Sequence, residues 1–136
     1  MAHWLIKSEP SAYSWDQFVK DKKTSWTGVR NAQASANLKA MKAGDLCFFY
    51  HSNEGKEIVG IAKVVKAAYP DPTDKDGKSI TVDVAAVEPV KKPVSLAAIK
   101  ADPTFKEFKL VRQSRLSVVP VSDEHWKTIL KMSSAK

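Results

Sequence analysis

Apolar positions along the chain fall into short runs whose spacing alternates between the two-residue period of strands and the three-to-four-residue period of helices. His3–Lys7 is an apolar-rich run of strand character, and Pro10 holds Glu9 out of the helical region, so Ser8 and Glu9 are expected on an extended or turning segment past a strand end. Ser14 with Gln17 three residues later has the form of a capping box, predicting a helix from about 15 to 22 with Trp15, Phe18 and Val19 as its apolar stripe. The alanine-rich stretch 32–41 predicts a second helix, capped by Asn31 and closed by Gly44. Leu46–Ser52 is dense in apolar residues and reads as a strand buried on both sides, with Tyr50, His51 and Ser52 at its polar end.

Two further strands are expected over 58–65 and 80–87, separated by the loop-like stretch 69–78. Gly60 interrupts the first of these, which suggests a bulge, a barrel bend or a close approach by backbone or ligand. Ser95 is placed to cap a short helix over 96–100, and Pro103 to begin a turn running to Phe108. Residues 110–121 form one apolar run interleaved with basic and hydroxyl residues; period-two alternation packs Leu116, Val118 and Val121 and turns Arg115 and Ser117 away. Ser122 caps a last helix whose buried stripe is Trp126, Ile129 and Leu130, and the tail from about 133 is expected to fray. Strands and helices mixed at this density in 136 residues predict a single α+β domain.

Composition narrows the function classes. No apolar run is long enough to span a membrane, and the first residues have neither the basic leader nor the apolar core of a secretory signal, so a cytoplasmic protein is expected. Cys47 is the only cysteine, which excludes an intrachain disulfide and leaves no cysteine-based metal site; its apolar neighbours predict a buried strand residue. The aspartates of 71–76 lack the spacing and the terminal glutamate of a calcium loop. A formal net charge of +7 favours a polyanionic partner. Three arginines, Arg30, Arg112 and Arg115, stand among many lysines, and a guanidinium fork reads phosphates and base edges better than an ammonium does.

The run Trp26-Thr27-Gly28-Val29-Arg30-Asn31 combines a ring for stacking, a glycine for close backbone approach, a guanidinium for anions and an amide able to cap a helix. It reads either as a binding loop or as a core anchor followed by a cap. His51 is expected as a hydrogen-bonding site residue, because a general base needs an orienting carboxylate and a nucleophile that no local motif supplies. No phosphate-cradling glycine loop or nucleophile elbow is present, so neither catalytic residues nor a cofactor are assigned.

Taken together, Trp4–Pro10, Trp26–Asn31, Gly44–Ser52, Val59–Ala62, Tyr69–Pro72 and Arg115–Val118 resemble the EVE domain, in order and across residues 3 to 131. The resemblance implies a PUA-like fold, a small bent mixed β-barrel with peripheral helices, related to the YTH readers of methylated RNA. It also implies a non-catalytic module that recognises a modified nucleobase, notably modified cytosine in DNA, in an aromatic-walled pocket, with RNA as the second candidate partner. The positions matching the family's pocket motifs are Ser8, Glu9 and Pro10; Trp26, Val29, Arg30 and Asn31; Tyr50, His51 and Ser52; and Arg115 and Ser117. In that setting Trp26 with Pro10 or Tyr50 would supply stacking faces, Glu9 would accept from an exocyclic amine, and Arg30 and Arg115 would hold flanking phosphates. An enzyme acting on a modified nucleotide, with Glu9 or His51 as acid or base, and a sensor of free nucleobase remain open. A monomer is the default state.

Overall fold

The computed structural model describes residues 2–9, 11, 13–26, 32–52, 55–74, 79–113 and 116–134. Its six strands are β1 (His3–Ser8), β2 (Lys23–Ser25), β3 (Leu46–His51), β4 (Glu57–Pro70), β5 (Ile80–Ser95) and β6 (Val118–Val121). The helices are α1 (Trp15–Asp21), α2 (Ala32–Ala40), α3 (Leu96–Ala101), α4 (Lys109–Arg112) and α5 (Asp123–Ser134), with a 3-10 turn at Pro103–Phe105. The strands form one mixed sheet in the order β2-β5-β4-β3-β1-β6. β1 and β3 are parallel, from His3 opposite Leu46 to Ser8 opposite His51, and the remaining pairs are antiparallel. Among the described residues β2 and β6 do not pair, so the expected barrel is an open α+β sheet, bent where β4 slips register against both neighbours.

Helix caps form where the hydroxyl residues predicted them. The Ser14 Oγ accepts from the Gln17 N–H at 3.1 Å, Ser95 Oγ from Ala98 and Ser122 Oγ from His125 at the same distance. The Gln17 side chain does not complete the box; it donates to Asp21 one turn on. Trp15 and Phe18 bury the inner face of α1, and Val19 is 47% exposed, because a helix of seven residues presents only one narrow stripe to the sheet.

Several elements differ from their sequence reading: β2 was not expected, and β4 runs on to Pro70, past 65 and into the stretch read as a loop. β5 runs on to Ser95 through Pro89 and Pro93. β2 covers only Asp83–Ala85 of its outer edge, so beyond Ala86 the prolines need no ladder partner on that side. The run 110–121 divides into α4 and β6, because the chain is already turning: Phe108 N–H donates to Phe105, and the Val111 and Arg112 N–H groups both donate to Phe108. Leu110 then packs into the core from a helical turn.

The core is aromatic on both sides of β3. Phe49 meets Trp15, Phe18 and Trp26 on one side, while Phe48 stacks on Trp126 of α5 with centroids 3.9 Å apart on the other. Cys47 is fully buried in the same strand, and burial pushes its thiol pKa well up. Gly60 sits directly beneath the Trp15 ring, and that close approach excludes any larger residue there.

Candidate functional site

Parallel pairing of β1 and β3 brings their carboxyl ends to the same edge of the sheet, the position where sheets of this kind gather ligand contacts. The Ser52 N–H donates to the Ser8 carbonyl at 2.9 Å and the Lys7 N–H to the Ser117 carbonyl at 3.0 Å, so backbone bonds alone collect Ser8, Glu9, His51, Ser52 and Ser117. The Tyr13 N–H donates to the Glu9 carbonyl at 2.8 Å, and the Ser8 hydroxyl donates to the Tyr13 carbonyl at 2.6 Å. Ser8 therefore fastens the turn between β1 and α1, and the Glu9 side chain is left exposed at its tip.

His51 is oriented by the start of α1. Its Nε2 accepts from the Trp15 N–H at 3.0 Å, which requires a lone pair on Nε2 and fixes the proton of the neutral ring on Nδ1. Burial lowers its pKa, against the opposing charges of Glu57 and Asp16. A neutral ring with its Nε2 lone pair occupied satisfies an otherwise free helix N-terminal donor. It is poorly placed to take a proton from a substrate at that atom.

Trp26 follows the last residue of β2 and is held by its N–H, which donates to the Val82 carbonyl at 2.8 Å. Its ring is 9% exposed and meets Tyr13 at 6.4 Å and Phe49 at 5.7 Å, both edge to face. Phe49 in turn meets His51 at 5.7 Å, so Trp26, Phe49, His51 and Tyr13 form one aromatic wall behind the edge. Tyr13 was not singled out in the sequence. It lies against Ser8, five residues back, through the hydroxyl bond that Ser8 donates to its carbonyl. Burial, then the hydrogen bond it donates to Asp21 at 2.8 Å, pushes the Tyr13 phenol up to about 12.

The sheet divides the group Tyr50-His51-Ser52. Strand alternation sends His51 to the side of Phe49 and Trp15, and Tyr50 to the side of Phe48 and Lys7. Tyr50 is buried, the Lys7 ammonium stands 5.9 Å from its ring centroid, and burial lowers the Lys7 pKa while raising that of Tyr50. Lys7 is thus a half-buried cation at the same edge, a position its sequence context had not marked.

Pro10, Val29, Arg30, Asn31 and Arg115 lie outside the described residues, as does the proposed Asn31 cap. The elements flanking them are joined. The Asn37 side-chain amide of α2 donates to the Val118 carbonyl at 2.7 Å, and the Gln33 amide donates to the Gln113 side chain at 2.8 Å. Among the described residues no three histidine, cysteine or acidic side chains converge as metal ligands, and no helix is long and apolar enough to cross a membrane.

The EVE domain family model matches residues 2–132. The chain belongs to the EVE domain family. Thymocyte nuclear protein 1 of Gallus gallus is 34% identical over 168 aligned positions, covering 98% of this chain and 69% of the relative. An NMR structure of a Rhodopseudomonas palustris protein is 54% identical, with a TM-score of 0.93 over 98% of this chain and 93% of that one. The human THYN1 protein in complex with DNA containing 5-methylcytosine is 33% identical, with a TM-score of 0.90 over 100% of this chain and 99% of that one. Of the positions singled out in the sequence, Ser8, Glu9, His51, Ser52 and Ser117 lie at the carboxyl ends of β1 and β3, and Trp26 lies in the aromatic wall behind them.

Proposed function

We propose that this EVE domain is a non-catalytic reader of modified cytosine in DNA, taking the base at the carboxyl edge of β1 and β3. The observation that carries the reading is its likeness over the whole chain to a human protein solved with DNA containing 5-methylcytosine. The site chemistry is of the right kind. The exposed Glu9 carboxylate is an acceptor suited to the cytosine N4 amine, the His51 Nδ1–H a donor, and the half-buried Tyr13 ring, backed by the buried Trp26, an apolar surface for a ring or a methyl group. Arg30 and Arg115 are assigned to flanking phosphates by family position. The bond that occupies His51 Nε2 weighs against the alternative of a base-modifying enzyme using that residue.

Fluorescence anisotropy with matched duplexes carrying cytosine or 5-methylcytosine at one position tests the reading. Tighter binding of the methylated duplex is expected, and equal affinity for the two would sink it. Free 5-methylcytosine base should compete only weakly, since it brings no phosphates to the basic surface; competition as strong as that of the duplex would favour the nucleobase sensor.

A further inference from the structure

On the β2–β5–β4 part of the sheet, alternation together with the register slip between Val64 and Lys66 turns Trp26, Val64, Val82 and Val84 inward and Lys23, Ser25, Lys63, Lys66, Asp83 and Ala85 outward. Lys23 and Lys63 both lie opposite Ala85, one on each side of it. Two strand spacings place them about 10 Å apart across a small residue. In the next row Lys66 and Ser25 flank Asp83 in the same way, and the Lys66 ammonium stands 4.3 Å from the Tyr69 ring centroid. The carboxylate in the middle of the row is already engaged. Asp83 accepts from both the Tyr69 and the Ser25 hydroxyls, and although burial pushes its pKa up, those bonds with the charges of Lys66 and Lys23 hold it below the ordinary value. The three lysines are exposed.

We infer that Lys23, Lys63 and Lys66, with Tyr69, form a second nucleic-acid contact that takes the phosphodiester backbone flanking the recognised base. The inference rests on the reading of this domain as a DNA binder and extends it to a face that reading does not use. Charge complementarity selects the occupant: three ammonium groups surround one carboxylate that already accepts two hydroxyl bonds, in a protein of net charge +7. The face is tied to the base site through β2: Ser25 ends the outward row, and the next residue, Trp26, turns to the inner side of the sheet and enters the aromatic wall. Exposed ammonium groups contact phosphates without reading sequence, so this face contributes affinity and salt dependence and leaves base discrimination to the β1–β3 edge.

The test compares the triple variant Lys23→Gln/Lys63→Gln/Lys66→Gln with a charge-matched control, Lys100→Gln/Lys106→Gln/Lys127→Gln, whose lysines are equally exposed but lie on or beside α3 and α5. Each binds the methylated and unmethylated duplexes between about 50 and about 200 mM salt, a range that brackets physiological strength. The expected result is a log–log salt slope shallower by about 0.9 for each phosphate no longer neutralised, so by roughly two to three in the triple variant, with the methylated-to-unmethylated ratio unchanged. The control should keep the wild-type slope. A wild-type slope in the triple variant, or an equal change in the control, overturns the inference. A wild-type protein that binds both duplexes equally overturns the base reading but not this contact, which the slope comparison still decides; wild-type protein that binds neither overturns both.

Discussion

A methyl group on Gly60 would overlap the Trp15 indole, closer than any stable contact allows. Trp15 is also the residue whose N–H is bonded by His51, so the packing of one glycine in β4 sets the distance between α1 and the end of β3. Gly60→Ala should therefore cost about 3 kcal/mol or more in urea unfolding, at the upper end of core overpacking. A Trp15→Leu change should recover part of that loss in the double variant, because the two residues are in contact. Strict additivity of the two changes would refute the steric account.

The bond from the Trp15 N–H to His51 is made only by the neutral ring. Because the folded pKa lies below the unfolded value near 6.5, the unfolded chain binds the additional proton as pH falls through that value. Stability from this group is thus fully present above about pH 6.5 and declines below it, until the folded pKa is also passed. Unfolding free energies at about pH 5 and about pH 7.5, on either side of that value, should differ by less in His51→Gln than in the wild type. An unchanged difference would rule His51 out as a source of the acid sensitivity.

Glu9 and Trp26 should separate recognition from folding. Glu9 is exposed and Trp26 is 9% exposed. Glu9→Gln should leave the unfolding midpoint nearly unchanged and weaken binding of the methylated and unmethylated duplexes alike, roughly tenfold, because both bases carry the N4 amine and one charged hydrogen bond is lost. Trp26→Ala should cost about 3–5 kcal/mol of stability, as for other large core truncations, with binding lost as a consequence. Loss of discrimination in Trp26→Phe, with stability retained, would instead make the Trp26 ring a direct contact.

Asn37 bridges α2 to the first residue of β6, in a half-buried setting. Asn37→Ala should cost about 1 kcal/mol, the net worth of such a bond. Because α2 follows Arg30 and Asn31 in the chain and β6 follows Arg115 and Ser117, the same variant should weaken binding of both duplexes equally. A selective loss on the methylated duplex would place Asn37 in the base site itself.

Local chemistry was legible before any fold was known. Ser14, Ser95 and Ser122 cap their helices because a hydroxyl reaches an N–H three residues away whatever the tertiary context. Cys47 was placed in a buried strand by its apolar neighbours, and Gly60, read as a bulge, a barrel bend or a close approach by backbone or ligand, stands beside a register shift of β4 and under the Trp15 side chain. The extension of β5 past Val87 was not legible, because whether Pro89 and Pro93 are tolerated depends on how far β2 covers the far edge. Similarly, α4 arises from turns begun at Phe105, which the apolar run 110–121 does not contain.

The sequence by itself determined the helix caps, most strand centres, the basic balance and the set of segments that marks an EVE domain, since each depends on residues close together in the chain or on the chain as a whole. Only the tertiary structure decided how those segments are shared among surfaces. Parallel pairing put Ser8 beside His51, strand alternation sent Tyr50 to the opposite face with Lys7, and antiparallel register set Lys23 and Lys63 on either side of Ala85. The physical reason is that strand pairing joins residues tens of positions apart through backbone bonds that carry no side-chain signature, so neighbourhood across a sheet follows from register and not from local composition.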